Sequence, residues 1–572
     1  MGIIIRSTGL LVLFLTALRA QPAPWPTVTW PTASPESQGL DTAKLEQASA
    51  YITANCPTHY SLLVVRNGYL VFERYYHGSY AAQSNNIKSM SKSVLSVLTG
   101  IAIQEGRIQG LDHKLSEFYP EYFHPGLDPR KERITLEHIM TMTAGFQFDE
   151  FGDSADKLFS SRNWFQTLIE YPMSSEPGAV FNYNTGLTHL LSGILTKVSG
   201  MSTLAYANSR LFGPLGMTCT RWTQDPMGIY FGGSEVWFTA RDLAKFGLLM
   251  LRNGQWDNRE IVNAAWLRGS ARIHARNLMG WPMGDYGYLW WSKPQQGYPV
   301  TLASGYGGQY VFLVPDLDLM VVTSADPNIP TSNKVVYSQP FDFLSQYILP
   351  AVRGPAPSAE VNSVVQAADY SATVAPGSFA TMFGSGLSLV ERTWDDAMPT
   401  DGRLPTSVGG VRVTFGGESA AVSYAGPNQV NFLIPPSVAP GKQSVAIQTA
   451  RGTAWGIVET AVVAPAWFQV PPKKLRPGDV VEMYASGLGP TVPDTPAGMA
   501  LTVPLPLAEL PEVRVAGQAA TVEWAGLVYA GVYQLNVRVP AGTPAGMAPV
   551  QLRAGGRTAS TDASLEIVPP VQ

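Results

Sequence analysis

The stretch Lys88-Ser89-Met90-Ser91-Lys92-Ser93-Val94-Leu95-Ser96-Val97-Leu98-Thr99-Gly100-Ile101-Ala102-Ile103-Gln104-Glu105-Gly106 decides the reading of the chain. Val94, Val97, Leu98 and Ile101 recur at i, i+3, i+4 and i+7, the stripe of a packed helix, and Leu95 and Ile103 widen it. Gly106 supplies the stop. At the N-terminus Ser89 and Lys92 stand three residues apart on one face, which brings an ammonium to a hydroxyl. A lysine against so apolar a helix is driven toward its neutral form, able to take a proton or polarise an Oγ. The helix N-terminus adds partial positive charge where an oxyanion would form. Ser89 reads as a nucleophile and Lys92 as its activator. On local context alone, a capping serine beside a snorkelling lysine accounts for the pattern equally well.

A second Ser-x-x-Lys, Ser154-Ala155-Asp156-Lys157, follows Asp149-Glu150-Phe151-Gly152-Asp153, a polar loop with no apolar helix behind it. That loop is read as solvated surface.

A length of 572 residues sets a prior of about three domains. The net charge of -4 comes with no Lys/Arg cluster, so no nucleic-acid partner is expected. Charged residues make up only 14%, against 54 Gly and 45 Pro, which fits an exported, turn-rich protein. Residues 1–20 read as a signal peptide: Arg6, the apolar run Leu10 to Leu15, then Ala17-Leu18-Arg19-Ala20 before Gln21-Pro22. An uncleaved anchor is the alternative, and no later segment is expected to span a membrane. Cys56 and Cys219 carry no framework spacing and read as two separate thiols. The seven histidines lack ligand spacing, and neither a Gly-x-Ser-x-Gly elbow nor a His-Glu-x-x-His or phosphate-binding loop is present. The expectation is therefore no cofactor and no metal.

After a Pro-rich leader, Thr42 to Asn55 is expected to be helical. Tyr60 to Arg66 and Tyr69 to Tyr75 are β-rich runs flanking Asn67-Gly68, a strong hairpin signal. A Thr135-capped helix follows, and residues 157–270 are mostly helical patterns. Strands return at Val300 to Ala303, Gln309 to Val314 and Leu319 to Thr323, before a last helix near Phe341 to Ile348. Strands at both ends with helices between predict one antiparallel sheet built from both ends of the domain and covered by helices. Two further sites lie in this order. Tyr183, after the Pro177-Gly178 turn and at the mouth of a helix carrying Leu187, Leu190, Leu191 and Ile194, is a candidate second base or acid, since a phenol's pKa falls beside a cationic lysine. Taken alone it reads more readily as a packed aromatic whose hydroxyl finds a partner. In Ala303-Ser304-Gly305-Tyr306-Gly307-Gly308-Gln309, glycines flanking a strand start would let backbone approach a substrate closely, with a plain turn as the default reading.

Ser89-x-x-Lys92, Tyr183 after a Pro-Gly turn, and a Gly-rich strand entry before Pro315-Asp316-Leu317-Asp318 together resemble the serine β-lactamase and penicillin-binding-protein superfamily. The nearest branch is the class C β-lactamase-like esterases and amidases. Met140-Thr141-Met142-Thr143-Ala144-Gly145, Leu211-Phe212-Gly213-Pro214-Leu215-Gly216-Met217 and Phe238-Thr239-Ala240-Arg241-Asp242-Leu243-Ala244-Lys245-Phe246-Gly247 agree. The resemblance covers about residues 36–350. It implies an acyl-enzyme on Ser89, proton transfer shared by Lys92 and Tyr183 with the base left open between them, and an oxyanion hole of the Ser89 and Tyr306 N–H groups. Ser304 and Gly305 would line the substrate.

Two departures bear on substrate. Ala303-Ser304-Gly305 stands where β-lactamases and D,D-peptidases carry Lys-Thr-Gly, and Tyr183-Asn184-Thr185 replaces Tyr-x-Asn. Losing a charge-assisted bond to a carboxylate costs on the order of 2–3 kcal/mol. An ester or amide substrate, small-molecule or peptide, is therefore favoured over a penicillin. The alternatives are a β-lactamase or D,D-peptidase, and a non-catalytic cell-surface binding protein.

From Gly354 the helical stripes vanish and short Val/Thr runs alternate with Gly/Pro turns. Pro427-Asn428-Gln429-Val430-Asn431 to Pro435 is answered by Val532-Tyr533-Gln534-Leu535-Asn536 to Pro540, a spacing of 105 from Gln429 to Gln534. Two all-β sandwich modules are expected, resembling Ig-like modules of exported bacterial proteins, with the paired Gln and Asn satisfying turn backbone in each. The domain reading is 1–20 signal peptide, 21–352 an α/β (α+β) serine hydrolase domain with a central antiparallel sheet and helical subdomain, 363–464 one module and 465–572 the other. The expected setting is secreted or periplasmic in a bacterium, with the modules as spacers or as contacts to a cell surface or carbohydrate.

Overall fold

Asn67 and Gly68 both take positive φ, 52° and 83°, as a two-residue hairpin turn requires. They join β1 (His59–Arg66) to β2 (Tyr69–Tyr75) with Arg66 opposite Tyr69. The computed structural model describes residues 25–330, 335–396, 402–468 and 474–569; the leader read over 1–20 lies outside them. β3 (Asp285–Tyr286), β4 (Trp291–Ser292), β5 (Thr301–Gly305), β6 (Gln309–Val314) and β7 (Leu319–Ala325) complete a seven-stranded sheet in the order β2-β1-β7-β6-β5-β4-β3. Its pairs are antiparallel. The expected sheet from both ends of the domain is thus the one observed.

Because strand side chains alternate in direction, β6 separates the two layers. Tyr310 and Phe312 meet Phe341 of the helix Val335–Phe343 edge-on. Val311 and Leu313, on the other face, meet Gly247 of the helix Ala240–Leu251. The first helix, α1 (Thr42–Asn55), has the predicted limits and is capped by Asp41, which accepts from the N–H groups of Ala43 and Lys44.

The second, α2 (Ser91–Gln104), departs from the amphipathic expectation: every residue from Ser91 to Ala102 is buried. Its small polar positions explain how. Ser93 and Ser96 donate to the carbonyls of Leu289 and Tyr288, and Trp266 lies so close that a Cβ on Gly100 would be 2.2 Å from its indole. A face that looks polar in sequence is a face for close backbone approach.

The first apolar core draws on residues from Trp30 to Val352. Two others follow, one over Val364 to Val458 joined by Ala530, the other over Trp467 to Ile567. Each belongs to an all-β unit of ten strands. The strand order repeats, down to a short parallel pair at one end: Thr373–Val374 with Glu459–Thr460, and Lys474–Leu475 with Glu566–Ile567. The paired amides act differently from expectation. Gln429 Nε2 donates to Asn431 Oδ1 at 2.7 Å and Gln534 Nε2 to Asn536 Oδ1 at 2.9 Å. Two residues apart on a strand, they share a face and satisfy each other, not turn backbone. The first module touches the N-terminal domain through Gly410, whose N–H donates to the Gly297 carbonyl, and through Arg392, paired with Asp316 at 2.8 Å. Cys56 and Cys219 are separate free thiols.

Candidate active site

The nucleophile candidate is set by strained backbone. Ser89 lies in a single 3-10 turn, Lys88–Met90, that leads into α2. Lys88 before it takes φ 50° and Glu235 takes φ 60°, left-handed values that non-glycine residues rarely hold. The two are tied at 2.8 Å between Lys88 Nζ and Glu235 Oε1, and Asn86 Nδ2 donates to Glu235 Oε2 at 2.8 Å. One helical turn on, Lys92 is 1% exposed. Its Nζ donates to Ser89 Oγ at 2.9 Å and to the Gly233 carbonyl at 2.8 Å. Burial pushes the amine down to about 8, with the Glu150 charge working the other way.

Tyr183 is buried with Lys92 Nζ 4.8 Å from its ring centre. Trp281 and Trp291 hold that ring at 4.9 and 5.7 Å. It immediately precedes α3 (Thr185–Ser199), which Asn184 caps by accepting from the Gly186 N–H at 2.9 Å. Tyr183, far along the chain from Ser89 and Lys92, therefore lies beside them.

The Gly-rich strand end reaches the same place. A Cβ on Gly305 would lie 2.1 Å from the Ile87 carbonyl oxygen, so the end of β5 runs against the backbone that enters the nucleophile turn. Tyr306 follows in the β5–β6 turn and donates its hydroxyl to the Ile329 carbonyl at 2.6 Å. Ser304 pairs across the strands with Tyr310 and hydrogen-bonds its side chain, on the face opposite Gly305.

Glu150 was missed in sequence, where its loop reads as solvated. Its Oε2 accepts from the Thr185 N–H at 2.8 Å and its Oε1 from the Thr185 hydroxyl, an anion at a helix N-terminus. Desolvation raises its carboxyl, while the Lys92 charge opposes the rise. No local spacing links Glu150 to Thr185, 35 residues on, so the sequence carried no direct signal for it. Beside it Phe151, 59% exposed, packs 5.7 Å from Trp281 and 6.3 Å from Tyr306, giving the cleft an aromatic rim.

Residues 59–334 match the Beta-lactamase family model. This domain belongs to the serine β-lactamase and penicillin-binding-protein superfamily. The chain is 26% identical over 295 residues to a 6-aminohexanoate-dimer hydrolase of Paenarthrobacter ureafaciens, a match covering 46% of this chain and 71% of that protein. It is also 26% identical over 179 residues to protein flp of Staphylococcus aureus (strain MRSA252), covering 29% and 35%. A D-stereospecific amidohydrolase from Streptomyces sp. is a similar solved structure, 16% identical, covering 52% of this chain and 98% of that one at a TM-score of 0.43. The β-lactamase-family domain is thus a serine-hydrolase fold. Among the described residues no group of three or more His, Cys, Asp or Glu is placed to hold a metal, and no helix is long and apolar enough to cross a membrane.

Proposed function

We propose that the protein is an exported serine hydrolase that cleaves an ester or amide through an acyl-enzyme on Ser89. The observation that carries this reading is the 2.9 Å contact between Ser89 Oγ and a buried Lys92 whose amine is held near pH 8. In its neutral form that amine offers a lone pair to the serine hydroxyl at the same distance. Ser89 Oγ attacks the acyl carbon as its proton passes to Lys92 or Tyr183. The N–H groups of Ser89 and Tyr306 receive the oxyanion. The proton then moves to the leaving group, and water repeats the sequence to release the acid. Gly305 contributes close backbone approach, and Ser304 its main chain.

An ester or amide is favoured over a penicillin because Ala303 supplies no cation for a carboxylate and the Thr185 hydroxyl is engaged by Glu150. The relative named for hydrolysis of an aminohexanoate dimer supports the same direction. Export rests on the leader at 1–20, and a cell-surface or carbohydrate contact through the modules goes with it. The test is p-nitrophenyl acetate turnover by Ser89→Ala beside the parent chain. Loss to background is expected; undiminished turnover would remove Ser89 from the mechanism.

A further inference from the structure

Below the lysine lies a buried polar chain that the acyl-transfer scheme leaves unused. Asp225 Oδ2 is 2.9 Å from His189 Nε2, and these side chains are 0% and 2% exposed. Asp225 Oδ1 accepts from the N–H groups of Met227 and Ile229, both at 2.8 Å. Burial works to raise this carboxyl, but the bonds from His189, Ile229 and Met227 carry it below its usual range. His189 is held below its usual range by burial, against the pull of Asp225. A neutral imidazole facing a carboxylate keeps its proton on Nε2. Nδ1 is then an acceptor, and the Gly232 N–H points at it over a long 3.5 Å. Two peptide units further on, the Gly233 carbonyl takes the bond from Lys92 Nζ at 2.8 Å.

The shelf between them has no slack. A Cβ on Gly232 would lie 2.0 Å from the Thr188 carbonyl oxygen, and one on Gly233 2.4 Å from Thr185 Cγ2. Both glycines rest flat on α3, the helix that carries His189. Ser192 and Trp222 fix the intervening loop by donating to the carbonyls of Tyr230 and Phe231. Around the imidazole, Trp164 and Phe165 lie at 4.8 and 4.9 Å. In such a pocket an apolar side chain would serve stability at least as well as a buried polar pair. What the pair adds is direction.

We infer that Asp225 and His189 are positioning residues that aim the Gly232-Gly233 segment, and through the Gly233 carbonyl the amine of Lys92, at Ser89. The inference rests on the proposed role of Lys92. Asp225→Asn tests it with little change of volume. Its Oδ1 still receives the two backbone N–H groups, so its amide must donate to Nε2, and the imidazole proton moves to Nδ1 to face the Gly232 N–H. The readouts are the pH profile of kcat/KM for p-nitrophenyl acetate, kcat and KM separately, and Tm. Lys92 is faced by Glu150 and Tyr183, and His189 by Asp225; none of these is altered except Asp225 itself.

The expected result is a fall in kcat of roughly 10- to 100-fold with KM little changed. The acid limb should move to lower pH by about half a unit, because the ammonium loses its carbonyl partner. A folded variant with the parent's kcat and acid limb would overturn the inference. So would activity that falls only in step with Tm while the limb stays fixed. If Asp225→Asn does not fold, His189→Gln is judged by the same criteria, and failure of both to fold assigns the pair to stability and overturns the positioning role. Ser89→Ala separates the two levels: its inactivity beside a parent-like Asp225→Asn defeats only this inference, whereas its full activity defeats the reading beneath.

Discussion

Between His59 and Lys245 lie all the buried lysines, aspartates and histidines of the described residues, whereas the modules beyond Val364 bury only Gln, Ser and Thr among polar side chains. Taking an ion out of water costs several kcal/mol even after relaxation. The modules avoid that cost and are held by Val, Leu, Ile and Phe packed within paired strands. The hydrolase domain accepts it repeatedly, most of all at Lys92, which is compensated by two hydrogen bonds, the face of the Tyr183 ring and the Glu150 charge. On the proposed mechanism, Lys92 is where this chain gives up stability for chemistry, while the modules carry no comparable buried charge among the described residues.

Three substitutions press on that contrast. The largest effect is expected from Lys92→Met, which keeps the length of the side chain and removes its charge. Turnover of p-nitrophenyl acetate should fall about 10³-fold, while Tm holds or rises because the desolvated ammonium is gone. A parallel loss of Tm and activity would make Lys92 a structural residue. Ile447→Ala reverses the pattern. Ile447 is fully buried in the first module, so unfolding of that module should become easier by about 2–5 kcal/mol, read by denaturant titration. The kcat measured where the protein remains folded should not change; a drop would tie the modules to the reaction.

The smallest effect concerns pH. The acid limb of kcat/KM should lie near 8, where Lys92 loses its proton. Glu150 holds that value up, so Glu150→Gln should shift the limb downward by about one unit or less. An upward shift, or none, would remove Glu150 from the electrostatics of the site. Linkage gives the same sign for stability. With Lys92 depressed in the fold, the unfolded chain binds the extra proton from about pH 8 up to the ordinary lysine range. Stability therefore rises with pH across that window, and Lys92→Met should flatten the rise.

Local pattern was enough for five strands of the sheet, because Asn67-Gly68 and the apolar runs at 59–75 and 301–325 leave few ways to pair, whereas the two-residue strands Asp285–Tyr286 and Trp291–Ser292 are too short to leave a pattern. Ser89, Lys92 and Tyr183 were legible because each sits at a helix entrance, where spacing and capping leave a mark. Glu150 and Asp225 were not. Their partners, Thr185 and His189, lie 35 and 36 residues away, and no periodicity links a loop carboxylate to a helix it meets only in space. His189 was judged by metal-ligand spacing, a test blind to a histidine whose partner is one aspartate and one peptide. The all-round burial of α2 was hidden for a related reason: serines at 93 and 96 look solvated until the carbonyls they serve are in view.

The most direct test of the central claim is covalent. A fluorophosphonate probe should add once to the intact chain, and peptide mapping should place the adduct on Ser89, with no adduct in Ser89→Ala. No addition, or addition at another serine such as Ser154 with Ser89 unmodified, would contradict the account.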